Sequence, residues 1–106
     1  MRENVRRIDI EKSTCETFKK QEFSDKGFIP IIILENGEEV ELLDYKAKVL
    51  FEISNENIDE EQCEIVDNVI KVNIKDIGII NDSIPFEIIL NGNNQRVTTF
   101  VMYLKK

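Results

Sequence analysis

The sequence predicts an all-β domain, an immunoglobulin-like antiparallel β-sandwich. Three observations carry that prediction. Apolar residues recur with period two or in short continuous runs, and almost nowhere at helical spacing. Seven or eight such runs are distributed along the chain, at the spacing of short strands in a sandwich. Turn-forming Asn-Gly and Asp-Asn pairs fall between them. A small closed β-barrel is the alternative, because strand number and spacing do not separate the two.

Taken in order, the first element is Ile8-Asp9-Ile10, a brief alternation near the start. The more polar stretch Thr14–Lys26 follows; its Phe18 and Phe23, if exposed, are candidates for a protein contact, whereas most other aromatics fall at inward strand positions. Phe28–Leu34 is apolar throughout, as a strand covered on both faces would be. Its Pro30 cannot donate to a ladder, so it belongs at a strand start, a bulge or an edge. Asn36-Gly37 supplies the two positive φ values of a type I′ hairpin, joining Ile31–Leu34 to Glu39–Leu42. The clearest half-buried strand is Ala47–Ile53, with Ala47, Val49, Phe51 and Ile53 on one face and Lys48 and Glu52 on the other. Ser54–Gln62 reads as a loop, Glu64–Val66 as a strand and Asp67-Asn68 as a tight turn into Ile70–Ile74. Lys75–Ser83 is a connection with room for one helical turn. Phe86–Leu90 alternates with one lapse at Ile89, and Asn91–Asn94 turns the chain into a closing strand, Gln95–Leu104.

Composition bounds the function. The length of 106 residues is that of one domain, residues 1–106, with its core between Val5 and Leu104. Fourteen Lys and Arg stand against 21 Asp and Glu, a net charge of −7, which argues against binding nucleic acid by phosphate neutralisation. Between Glu35 and Asp67 two basic residues, Lys46 and Lys48, face twelve acidic ones, so one lobe is expected to hold nearly all the negative potential. Asp59-Glu60-Glu61 and Glu64 lack the alternation and the glycine of a Ca²⁺ loop. There is no His, which removes the usual general base and the commonest metal ligand. No nucleophile–base signature and no Trp for a sugar subsite are present, so no catalytic, cofactor-binding or metal-binding residues are assigned and the chain is expected not to be an enzyme. Cys15 and Cys63 are too few and too far apart for a disulfide framework or a zinc site, and both are expected to be reduced. No apolar run reaches membrane-spanning length, and Met1-Arg2-Glu3-Asn4 opens no signal-peptide pattern, so a protein made in a cytoplasm is expected.

The order of elements from Lys20 onward is similar to a known family. Lys20–Gly27 leads into an apolar strand ending Ile33-Leu34-Glu35-Asn36-Gly37-Glu38-Glu39-Val40-Glu41-Leu42, followed by Asp44-Tyr45 and the alternating strand Lys46–Ile53. A short hairpin at Asp67-Asn68, a strand Phe86–Leu90, a polar turn at Asn91–Asn94 and a last strand ending Phe100–Leu104 complete the pattern. In this it resembles the N-terminal domain of phage baseplate upper proteins, most closely over Leu34–Ile53. Leu43 stands where the family often has a small polar residue, and Ser83-Ile84-Pro85 replaces a usual glycine. The stalk that follows in full-length members is not in the sequence, leaving an excised domain or a stand-alone small member.

The resemblance implies a structural component of a phage or prophage tail baseplate, located in the virion and synthesised in the bacterial cytoplasm. It implies docking to the tail-tip hub and neighbouring tail proteins, homo-oligomerisation in the assembled baseplate, and no cofactor. The residues assigned to the protein interface are Ile8, Ile10, Phe18, Phe23, Glu38, Glu39 and Glu41. A cell-surface or secreted carbohydrate-binding or adhesive sandwich is the alternative.

Overall fold

The computed structural model describes residues 4–12, 16–79 and 82–106. Strands account for 60% and helix for 4% of it, so the chain is all-β. In order the strands are β1 (Arg6–Asp9), β2 (Thr17–Lys19), β3 (Phe28–Glu35), β4 (Glu38–Glu39), β5 (Lys46–Ser54), β6 (Asn57–Val66), β7 (Val69–Asn73), β8 (Ser83–Gly92), β9 (Gln95–Thr98) and β10 (Met102–Lys105). They join in one curled sheet with the order β1-β3-β7-β6-β5-β8-β10-β2, β4 pairing with β3 and β9 with β8. The sheet is mixed rather than purely antiparallel, because β1 runs parallel to β3 and β2 parallel to β10.

The curl originates in β6. Ile58 to Cys63 oppose Glu52 to Ala47 of β5, whereas Glu64 to Val66 oppose Lys71 to Val69 of β7. A strand that changes partner part-way carries the sheet from one layer into the other. The expected loop Ser54–Gln62 is therefore mostly strand; its turn is confined to Asn55-Glu56. Acidic side chains hid it, since Asp59 and Glu61 occupy half-buried positions where apolar residues normally mark a strand.

Inside the curl the alternation of β3, β5, β7 and β8 supplies the core: Ile29, Ile31 and Ile33; Ala47, Val49 and Phe51; Ile70 and Val72; Ile84, Phe86, Ile88 and Leu90. Both faces of β3 are buried, as its unbroken apolar run predicts. Pro30 opposes Lys71 of β7 and precedes the first β1 pair, Arg6 with Ile31, so its missing N–H falls where β1 asks for none. A row of phenylalanines runs through the core, with ring centroids 5.4 Å apart for Phe51–Phe86, 5.9 Å for Phe86–Phe18 and 6.3 Å for Phe18–Phe23. Phe23 ends a single 3₁₀ turn, Lys20–Phe23. Within the connection expected over Lys75–Ser83, Lys75-Asp76 forms a plain turn, and residues 80–81 lie outside the described residues. At the open ends of the sheet, the Arg6 guanidinium of β1 sits 5.8 Å from the Phe18 ring and 5.5 Å from that of Phe23 and bonds Glu22 at 3.0 Å. It closes across a seam that no strand ladder joins among the described residues.

The turns hold their predicted chemistry. Asn36 and Gly37 have φ of 52° and 83°, and Asp67 and Asn68 of 52° and 63°. Each pair makes a two-residue hairpin loop, although the strand expected over Glu39–Leu42 is only Glu38–Glu39. The β8–β9 loop tightens to Asn93-Asn94, with Gly92 opposite Gln95. A Cβ on Gly92 would lie 2.8 Å from the Tyr45 ring, whose hydroxyl donates to Gln95 Oε1 at 2.7 Å. The closing strand expected over Gln95–Leu104 is broken at Thr99–Val101, where the register on β8 advances by one residue between Ile89–Thr98 and Phe86–Met102. Buried Thr99 bridges this bulge: its N–H donates to Ile88 O at 3.0 Å and its Oγ1 accepts the Ile88 N–H at 2.9 Å. Beyond the bulge the inward positions change from odd to even, which brings Met102 and Leu104 into the core.

Gly92→Ala is expected to cost about 1–3 kcal/mol by forcing the Tyr45 ring aside, while Gly78→Ala, with open space around it, is tolerated; urea denaturation of both reads the difference. Thr99→Ala orphans the Ile88 N–H and is expected to cost about 1–3 kcal/mol. Thr99→Ser, which keeps the oxygen, recovers most of that loss in the same measurement.

Candidate functional site

The residues that the sequence assigns to an interface do not form one surface. Ile8, Phe18 and Phe23 are core residues, exposed by 1%, 1% and 6%, so Phe18 and Phe23 offer no apolar contact surface. Ile10 is half-buried against the core, its N–H bonding Leu34 O at 2.9 Å. Glu38, Glu39 and Glu41 are exposed around β4. Two of these carboxylates serve their own chain: Glu39 accepts from Asn68 Nδ2 at 2.7 Å, and Glu41 accepts from the Leu43 N–H at 3.2 Å. Asn68 also accepts the Leu42 N–H at 2.7 Å and donates to Val40 O at 2.9 Å, pinning the segment that crosses from β4 toward β5.

Nor does the acidic segment form one lobe. Glu39 bonds Asn68 in the turn that also holds Asp67, but Glu56 lies beyond the opposite end of ten-residue β6, roughly 30 Å away at the rise of an extended strand.

Asp9, Glu61 and Cys63 have perturbed environments. Desolvation acts to raise the Asp9 carboxyl, but N–H donors from Glu11, Gly37 and Asn36 and the Lys12 charge outweigh it and hold the group below its usual value. The three bonds measure 3.0, 2.8 and 3.1 Å, so Asp9 at the end of β1 anchors the β3–β4 hairpin. On the inward side of β6, burial and then the charges of Asp59 and Asp76 raise Glu61. Burial, followed by the charge of Glu61, pushes the Cys63 thiol up to about 12. Cys63 is thus a protonated free thiol at neutral pH, a weak nucleophile and a weak ligand; Cys15 lies outside the described residues. No group of three or more Cys, Asp or Glu among the described residues is placed to hold a metal ion. No helix among them is long and apolar enough to cross a membrane.

The feature that sequence reasoning missed is the outer face of β6, β5, β8 and β10. Ile58, exposed by 61%, opposes Glu52; Leu50 opposes both Glu60 and Glu87; Tyr103 opposes Pro85. Val101, exposed by 47%, lies at the bulge beside them. Leu50, Ile58, Pro85 and Val101 line a depression of 120 Å³ together with Glu52 and Glu87. The one signal in the sequence is Leu50, an apolar residue on the polar side of the β5 alternation.

No protein-family model and no curated protein sequence matches the chain. Among solved structures it is similar to the N-terminal domain of phage TP901-1 ORF48, with a TM-score of 0.54 and 12% sequence identity, over 97% of this chain and 98% of that one. At that identity the likeness is one of fold.

The perturbed carboxyls have opposite pH signatures. Asp9, lowered in the fold, contributes fully above the unfolded carboxyl range and loses that contribution as pH falls through its folded value. Asp9→Asn is therefore expected to lower the melting temperature at neutral pH, with the gap closing in acid. Glu61, raised in the fold, contributes fully below the unfolded range and loses that contribution as pH rises through its folded value. Glu61→Gln is expected to raise the neutral-pH melting temperature, and this gap too closes in acid. Thermal melts of the parent and both variants from acid to neutral pH check the two signs.

Proposed function

We propose that this chain is a structural component of a phage or prophage tail baseplate. In this reading it docks to the tail-tip hub and to neighbouring tail proteins and carries receptor-binding parts. The observation that carries the proposal is the likeness, over nearly the whole of both chains, to the N-terminal domain of phage TP901-1 ORF48. The element order around Leu34–Ile53 supports the same class independently, through its resemblance to baseplate upper proteins. The chemistry of the site agrees with docking rather than catalysis. Its one described thiol is protonated, Asp9 is turned toward its own backbone, Glu61 is half-buried beside Asp59 and Asp76, and an exposed apolar face remains. The chain works in the virion, after synthesis in a bacterial cytoplasm, among further copies of itself.

An antibody raised against the chain is expected to label the tail tip of particles released by the bacterium that encodes it, in negative-stain electron microscopy. The chain is also expected among the proteins of density-purified particles. A chain abundant in the lysate yet absent from purified particles would overturn the proposal.

A further inference from the structure

We propose that the outer face of β6, β5, β8 and β10 is a docking surface for a basic, apolar segment of another protein, one in which Lys or Arg is interspersed with Val, Leu or Ile. This deepens the docking reading above and rests on it. Ile58, Val101 and Tyr103 are three of the five large apolar side chains that the described fold leaves exposed; Ile58 and Val101 share a depression with Leu50 and Pro85, and strand register sets Tyr103 opposite Pro85. An apolar patch with a polar rim is the usual mark of an interaction site.

The charges on the face identify the partner's chemistry. Glu60 is held by Lys48 at 2.8 Å, whereas Glu52 and Glu87, which line the depression itself, form no ion pair or side-chain hydrogen bond among the described residues. A purely apolar partner would strip water from these two carboxylates with nothing in return, which is costly. A second copy meeting the same face would set Glu52 and Glu87 against their own kind, on a chain of net charge −7. A partner that brings ammonium or guanidinium groups alongside apolar side chains satisfies both components of the face.

The test is a titration of the ¹⁵N-labelled chain with a hexapeptide of alternating Lys and Val, followed by amide chemical shifts, with an alternating Glu and Val hexapeptide as control. Saturable shifts are expected at Leu50, Glu52, Ile58, Glu87 and Val101 with the basic peptide and none with the acidic one. Affinity is expected to fall about tenfold in the double variant Glu52→Gln/Glu87→Gln, as for the loss of two rim charges, with an unchanged melting temperature. Shifts centred elsewhere, equal shifts with both peptides, no saturable shift, or an unaltered affinity in the double variant would each overturn the proposal. Particle incorporation separates this proposal from the baseplate reading. Parent chain in purified particles with a folded Glu52→Lys/Glu87→Lys variant excluded supports both. Equal incorporation overturns the docking face alone; absence of the parent overturns the baseplate reading and leaves the peptide titration to decide the face.

Discussion

The change of partner within β6 is the constraint on which the other features depend. A sheet of this many strands must hide its apolar face, and a single flat layer offers nothing to hide it against. By pairing with β5 up to Cys63 and with β7 from Glu64, β6 turns that face upon itself. The Phe51–Phe86–Phe18–Phe23 row then lies in the interior, and the two parallel edge strands are brought close enough for Arg6 to reach over Phe18 and Phe23. β6 can be acidic because its inward positions are only half-buried. The same charge discourages unwanted pairing along a strand that has a neighbour for only part of its length on either side.

What the sequence disclosed, and what it hid, follow from where burial is complete. β5, β7 and β8 were legible because their inward residues are fully buried and apolar, so period two stands out. The Asn36-Gly37 and Asp67-Asn68 loops were legible because positive φ restricts the residues that can occupy them. β6 was legible only at its end, Glu64–Val66, since Asp59 and Glu61 stand at inward positions in a strand rim that water reaches. β2 and the 3₁₀ turn were hidden in a polar stretch of which only Phe18 and Phe23 enter the core, too few to show a period. The break at Thr99 was invisible because a bulge reverses parity without any special residue, and a hydroxyl repairs the ladder locally. The outer face was the least legible of all: it depends on which strands are neighbours, a long-range property that no local pattern reports.

Charge illustrates the difference between amount and disposition. The acidic excess suggested a single negative lobe, yet Asp9, Glu39 and Glu41 accept hydrogen bonds from hairpin and loop groups, and Glu61 crowds against Asp59 and Asp76. These carboxylates shape the chain locally. Glu52 and Glu87 differ because they stand among exposed apolar side chains without a cation of their own. Proximity to apolar surface, rather than the size of the charge, makes those two carboxylates informative.

The parallel alignment of β2 with β10 has a mechanical consequence. A pull between the start of β2 at Thr17 and the end of β10 at Lys105 acts along both strands in opposite directions. It therefore loads their ladder in shear, so the bonds between them share the force and must yield together rather than open one after another. With the β10 side chains Met102 and Leu104 keyed into the core, sliding that strand would also drag apolar groups past their neighbours. Along that direction the β2–β10 ladder resists as a unit.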